Sequence, residues 1–155
     1  MKKVIQKIKN IFNQGLTPTD LALSIVIAVV ISLFPVIGLT TVFISFLAIS
    51  LKLNFPIMIT IAYSMEPIKL FLIIPFIKLG AKIFNVQHEL LTYGAIKKSF
   101  NINFWSTLKD LSYELVCGTT GWAVSIIPFG IILFFGLKKI FSSYQNSKEE
   151  HIAIQ

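Results

Sequence analysis

Two long runs of apolar residues dominate the pattern along the chain. From Leu21 to Met65 the only charged side chain is Lys52, and from Leu115 to Leu137 there is none. About 20 apolar residues are enough to span the ~30 Å hydrocarbon core of a bilayer. Two such runs in a chain of 155 residues therefore predict an integral membrane protein rather than a soluble helical one.

The first run is interrupted by the segment SLFPVIGLTT, residues 32–41. As one straight helix, residues 21–51 would rise about 46 Å, which is far more than the bilayer core. Broken between Pro35 and Gly38, the run gives two arms of about 21 and 19 Å, each too short to cross comfortably. This favours a re-entrant hairpin whose tip is buried in protein or in a watery cavity. A strongly tilted hairpin in a locally thinned membrane is the alternative.

The second stretch, from Phe55 to Ala81, repeats this interruption, with SMEPIKL at its centre and Pro75 beyond it. It therefore predicts a second proline-broken hairpin. Glu66 and Lys69 are three residues apart, so on one helical turn they could pair. A carboxylate inside a membrane segment and beside a proline is by default a functional hypothesis, and a structural ion pair or a shallow break at the interface is its alternative.

The final run, Leu115–Leu137, is long enough to cross the membrane once. Gly118 and Gly121 would permit close contact with another helix near its start. The predicted fold class is thus an all-α integral membrane protein with proline-broken, re-entrant helical hairpins and one or two full transmembrane spans.

The flanking segments complete the predicted organisation. Residues 1–14 place apolar side chains at three- and four-residue spacing opposite lysines, which is typical of a basic amphipathic helix at the membrane interface. Residues 15–141 are predicted to form a single membrane domain, with a surface segment at 85–110. The polar tail, residues 142–155, is predicted to be disordered.

The net charge of +7 comes from 14 lysines, and the chain contains no arginine. The lysines at positions 2, 3, 7, 9, 52, 138 and 139 lie at the edges of apolar segments. This placement suits anionic lipid headgroups better than a nucleic-acid groove. Membrane lipids are therefore predicted partners, and nucleic acid is not. The lysines predicted to contact headgroups are Lys2, Lys3, Lys7 and Lys9.

Residues with catalytic or metal-binding chemistry are sparse. His88 and His151 are far apart and have no cysteine or carboxylate at ligand spacing, so no metal site is predicted. Cys117 is the only cysteine, and no nucleophile–base pair can be recognised. The sequence therefore predicts no enzyme and no cofactor.

The ordered features of residues 15–84 resemble the bacterial domain of unknown function family 2062. That family's pattern runs G-x-[ST]-P, an apolar LA-rich helix, P-x-x-G-x-x-T, and then an LA…L-[RK]-[LV]-N-x-P segment. The residues that fill it are Gly15, Thr17, Pro18, Leu21, Ala22, Pro35, Gly38, Thr41, Leu47, Ala48, Lys52, Leu53, Asn54 and Pro56. A second block corresponds at Pro67, Pro75 and Gly80, with Glu66 where an asparagine often precedes the proline. The resemblance implies a multi-pass protein of the bacterial inner membrane, sometimes joined to envelope glycosyltransferase domains.

Two functions are compatible with a membrane protein of this predicted architecture. Transport of a lipid-linked or other amphipathic envelope intermediate is favoured, because broken helices place free backbone groups at membrane depth. A non-catalytic scaffold that recruits an envelope glycosyltransferase or related enzyme is the alternative, and a homo-oligomer is left open. The residues predicted to line the transport path are Pro35, Gly38, Thr40, Thr41, Asn54, Glu66, Pro67 and Lys69.

Overall fold

The computed structural model describes residues 17–36, 38–85 and 104–153. The described chain is all α-helical, as the sequence predicted. It contains α1 (Pro18–Ser32), α2 (Thr40–Ser50), α3 (Phe55–Phe84) and α4 (Phe104–Ala153). Two regions are long and apolar enough to cross a membrane, namely Phe55–Phe84 and Leu111–Gln145. The predicted amphipathic helix at 1–14 and most of the predicted surface segment lie outside the described residues.

Helix α1 begins with a capping box. The Thr17 side chain accepts from the Asp20 amide at 3.1 Å, and the Asp20 carboxylate reaches back to the Thr17 amide. Pro18 occupies the first turn, where a missing N–H costs nothing. This start therefore follows directly from the TPTD sequence.

The predicted break between α1 and α2 is confirmed. Pro35 has no amide hydrogen to continue the helix, and Gly38 has a φ of +91°, which L-residues with side chains rarely adopt. Helices α1 and α2 contact each other, so the connection between Ser32 and Thr40 is the tip of a helical hairpin. At its other end α2 joins α3 through a tight turn in which the Leu53 amide donates to the Ala48 carbonyl at 2.9 Å.

The second predicted hairpin was wrong, because α3 continues through Pro67 and Pro75 without a break. A proline removes one backbone hydrogen bond, but membrane-type helices tolerate this loss when a neighbouring helix packs beside them. Here α4 lies along α3, and the contact between these two helices is more extensive than that of α3 with α1 or α2. No glycine follows either proline at the spacing of the α1–α2 tip, so nothing reverses the chain direction.

The last helix is longer at both ends than predicted. Residues 104–110, assigned from sequence to the surface segment, form its first two turns, and residues 142–153 of the predicted disordered tail continue it. Once a helix is nucleated, each further residue adds a backbone hydrogen bond at little cost. Tail residues such as Lys148, Glu149 and Glu150 are good helix formers, so the polar sequence does not stop the helix.

Glycines bring α3 and α4 close together, as predicted for Gly121. A Cβ at Gly121 would overlap the Phe76 carbonyl, and one at Gly80 would overlap the Cys117 carbonyl. Helix α1 packs in the same way on α4, where a Cβ at Gly130 would lie 2.7 Å from Val30 Cγ2. Small residues at membrane-helix interfaces allow this close backbone approach.

The outer surface of the bundle is strongly apolar. Phe46, Ile49, Phe71 and Ile132 are 66–82% exposed. A soluble domain of this size rarely exposes so many large apolar side chains, whereas the lipid-facing side of a membrane helix does. The described helices therefore have the surface of a membrane protein.

Candidate functional site

The central polar feature of the bundle is the Lys69 side chain, which is completely buried in α3. Its Nζ donates to Glu66 Oε1 at 2.7 Å and to Thr40 Oγ1 at 3.1 Å. Burying an unpaired ammonium is very unfavourable, and these two oxygens satisfy part of its hydrogen-bonding capacity. We call Thr40, Glu66 and Lys69 the lysine cluster.

The lysine cluster joins the hairpin to the long helices. Glu66 and Lys69 lie one turn apart in α3, whereas Thr40 is the first residue of α2. Thr40 is buried, but the Glu66 side chain remains 38% exposed. The cluster therefore has a closed side at the lysine and an open side at the carboxylate.

Contacts between helices show the height of the cluster in the bundle. Near one end, Ile57 belongs to the same apolar cluster as Leu21 and Phe141. Near the other end, Gly80 meets Cys117. Lys69 is twelve residues after Ile57 and eleven before Gly80, so it lies about 18 and 17 Å from these two levels. The lysine cluster is thus at mid-height of the α3–α4 pair.

The hairpin tip lies beyond the lysine cluster, toward Gly80 of α3. Leu33 packs in one buried cluster with Phe76 and Ile126, and with the partly buried Leu72 and Trp122. Pro35 lies beside Gly118 of α4, next to the Cys117 that meets Gly80, so the hairpin reaches this level of the long helices.

Asn54 has a different position from the lysine cluster, and the structure explains it without a role in binding. Its Oδ1 accepts from the Ile57 amide at 3.1 Å and so caps α3. The backbone N–H of Asn54 donates to Ser24 Oγ at 3.1 Å, and this bond ties the α2–α3 turn to α1. Asn54 therefore holds the base of the hairpin, far from its tip.

The other predicted path residues make no polar contact with Lys69 in the part of the chain that the structure describes. Gly38 is exposed, and a Cβ placed on it would meet nothing within 4 Å. Thr41 is exposed on α2, and Pro67 is exposed on α3. Pro35 lies near Gly118 of α4. Of the eight predicted path residues, the structure brings Thr40, Glu66 and Lys69 into direct contact, while Lys2, Lys3, Lys7 and Lys9 lie outside the described residues.

Sequence reasoning missed the aromatic contacts that fix the tip. The Trp122 indole donates to the Val30 carbonyl at 3.1 Å. The Phe34 ring packs edge-on against Trp122, with centroids 5.0 Å apart, and against Phe43 at 5.8 Å. A tryptophan within an apolar run indicates that its indole N–H has a hydrogen-bond acceptor nearby. The sequence does not show which carbonyl group is that acceptor.

The lysine cluster contains groups that can hydrogen-bond a polar molecule. Lysine supplies hydrogen-bond donors, and the exposed part of Glu66 offers acceptor oxygens. Among the described residues, no group of three or more His, Cys, Asp and Glu side chains could hold a metal ion.

The family resemblance is confirmed over nearly the whole chain. The family model described as uncharacterized protein conserved in bacteria (DUF2062) matches residues 1–150, well beyond the segment that carried the resemblance. The chain belongs to this family. No curated protein and no solved structure matches it.

Proposed function

We propose that this protein translocates an amphipathic, lipid-linked intermediate of the bacterial envelope across the inner membrane. The observation that carries the proposal is the buried ammonium of Lys69 at mid-height of two apolar helices, beside a broken helical hairpin. Ionisable residues inside membrane segments are rare and commonly mark substrate or ion pathways.

The difference in length between the short hairpin arms and the long helices α3 and α4 supports a re-entrant position for the hairpin. If α3 and α4 cross the bilayer, the ~35 Å between the Ile57 and Gly80 levels covers its hydrocarbon core. The start of α2, where Thr40 bonds to Lys69, then lies inside the membrane, and both ends of the hairpin lie on one side. Irregular backbone is tolerated at this depth only where protein or a water-filled cavity surrounds it.

The chemistry of the cluster supports a substrate head that carries hydroxyl groups. A hydroxyl of the head would donate to the exposed oxygens of Glu66, whose negative charge is balanced by Lys69. The 38% exposure of Glu66 gives such a group a direction of approach. The apolar tail would remain in the surrounding lipid, so the protein needs to shelter the head alone.

Translocation can be tested with vesicles that contain the purified protein and fluorescent phosphatidylglycerol, whose glycerol head carries hydroxyl groups. A membrane-impermeant reductant bleaches the outer leaflet, and any further loss of fluorescence reports lipid that crossed. We expect crossing to need the protein and to fall at least tenfold with Glu66→Gln. Unchanged crossing by this variant, at equal reconstitution, would count against the proposal.

A structural ion pair makes a different prediction for the double variant Glu66→Gln/Lys69→Gln. Each single variant leaves one unpaired charge, and the double variant leaves none. The double variant should therefore be more stable than either Glu66→Gln or Lys69→Gln alone. If the pair is only structural, translocation should recover together with stability. We expect stability to recover and translocation to remain low.

The re-entrant position has its own test. With Cys117→Ser as background, single cysteines at Lys52, Gly38 and Lys82 can be labelled in oriented vesicles with an impermeant thiol reagent. We expect Lys52 and Lys82 to label rapidly from opposite faces and Gly38 to label slowly. Rapid labelling of Gly38 from the face that labels Lys82 would show that the hairpin crosses the membrane.

A further inference from the structure

Helices α1 and α4 form an open groove away from the lysine cluster. Its volume is about 390 Å³, and it is lined by apolar residues alone: Leu23, Val26, Val30, Ile127, Gly130, Ile131, Phe134 and Phe135. From Leu23 to Val30 the groove follows α1 for about 10 Å. This volume falls within the ~300–1,000 Å³ typical of small-molecule sites.

Gly130 brings the walls of the groove together. Because it has no side chain, Val30 approaches the α4 backbone closely, and Val26 lies next along α1. The floor is therefore backbone and branched aliphatic side chains, while Phe134 and Phe135 form the end nearest the start of α1. An apolar groove of this kind fits a hydrocarbon chain.

Positive charge lies at this same end of the groove. The Lys138 ammonium is 5.9 Å from the centre of the Phe134 ring. Phe134 also packs against the cluster formed by Leu21, Ala22 and Phe141, which places Lys138 near the level where α1 begins. A lysine at the membrane surface attracts anionic lipid by about 1 kcal/mol.

We propose that the α1–α4 groove is a binding site for one acyl chain of an anionic phospholipid whose phosphate binds Lys138. The site does not use the lysine cluster, so it can be correct even if the translocation proposal fails. The N-terminal segment is a less suitable occupant, because residues 1–14 carry four lysines that Lys138 would repel.

Trp122 provides a built-in reporter for the site. Its indole nitrogen donates to the carbonyl of Val30, a residue that lines the groove. The variant Trp105→Phe leaves Trp122 as the sole tryptophan. Phosphatidylcholine vesicles containing this variant would receive a small fraction of phosphatidylglycerol or phosphatidylcholine with brominated acyl chains, which quench nearby indole fluorescence.

We expect brominated phosphatidylglycerol to quench Trp122 more strongly than brominated phosphatidylcholine at equal fractions. Lys138→Gln should reduce this preference about fivefold, the equivalent of ~1 kcal/mol, whereas Lys139→Gln should leave it nearly unchanged. Ile131→Phe should also reduce quenching by filling the groove, while Ile132→Phe, on an exposed part of α4 outside it, should not. Thermal unfolding of each variant controls for misfolding.

Three outcomes would overturn the proposal. Equal quenching by the two lipids would mean that the groove holds no specific anionic lipid. Equal effects of Lys138→Gln and Lys139→Gln would place the headgroup elsewhere. If strong quenching appeared only after deletion of residues 1–14, the N-terminal segment would be the native occupant.

Discussion

The α1–α2 hairpin and the membrane-length parts of α3 and α4 are all apolar, yet the chain responds differently to proline in the two regions. Helix α1 ends at Ser32, just before Pro35, and the chain turns back, whereas α3 continues through Pro67 and Pro75 and α4 through Pro128. The hairpin arms contain 15 and 11 residues, against 30 and 50 in the long helices. A proline alone therefore does not decide where a membrane-type helix ends.

The residues around each proline account for this difference. The break at Pro35 includes Gly38 with φ +91°, and Phe34 already bonds to the nearer Ile31 carbonyl rather than continuing the α-helical ladder. The long helices instead have glycines at Gly80 and Gly121 that meet backbone of the partner helix. Glycine reverses the chain in the first region and joins two continuous helices in the second.

The largest expected effect comes from disturbing the glycine contact between α3 and α4. Gly121→Leu would drive a side chain into the Phe76 carbonyl and force the helices apart, which should cost about 3 kcal/mol or more. Gly136→Leu is the matched control, since its Cβ would meet nothing within 4 Å. Thermal unfolding in detergent should separate the two variants. Similar melting temperatures would show that the long pair does not depend on this contact.

The next effect concerns the lysine cluster, which links the two regions. Glu66→Leu leaves the buried Lys69 ammonium without its carboxylate and should cost about 3 kcal/mol. Glu66→Leu/Lys69→Met should be more stable than Glu66→Leu, because no unpaired charge remains. Lys78→Met, at an exposed position of α3, controls for loss of a lysine. If the double variant loses as much stability as Glu66→Leu and Lys69→Met lose together, the two side chains are not energetically coupled.

The sequence predicted local features well where a short motif determines them. The capping box at Thr17, the break at Pro35–Gly38 and the close approach at Gly121 all follow from residues that act on their own backbone or through lack of a side chain. The Glu66–Lys69 pair was also predictable, because one helical turn brings the two side chains together.

Long-range partners could not be predicted from the sequence in the same way. The contact of Lys69 with Thr40 joins residues 29 apart, and that of Trp122 with Val30 joins residues 92 apart. Continuity through Pro67 also depends on the neighbouring helix rather than on local sequence. These features arise from tertiary packing, which overrides local preference.

A smaller effect is expected at the hairpin tip. Gly38→Ala forces a side chain into a left-handed conformation and should cost about 1–2 kcal/mol from backbone strain alone, because nothing lies close enough to clash. Gly136→Ala lies in a helix and should be neutral or slightly stabilising. Thermal unfolding of the two alanine variants measures the difference. If Gly38→Ala is equally well tolerated, the turn does not require its positive φ.

The smallest expected effect is at the base of the hairpin, where Ser24 links α1 to the start of α3. Ser24 Oγ donates to the Asp20 carbonyl and accepts from the Asn54 amide, so Ser24→Ala leaves that amide without its partner. The cost should be about 1 kcal/mol, measured by thermal unfolding. Ser45→Ala is the control, because Ser45 bonds only within α2, to the Thr41 carbonyl. Equal stabilities would mean that packing of Ala48, Leu53 and Met58, rather than this hydrogen bond, holds the hairpin against α3.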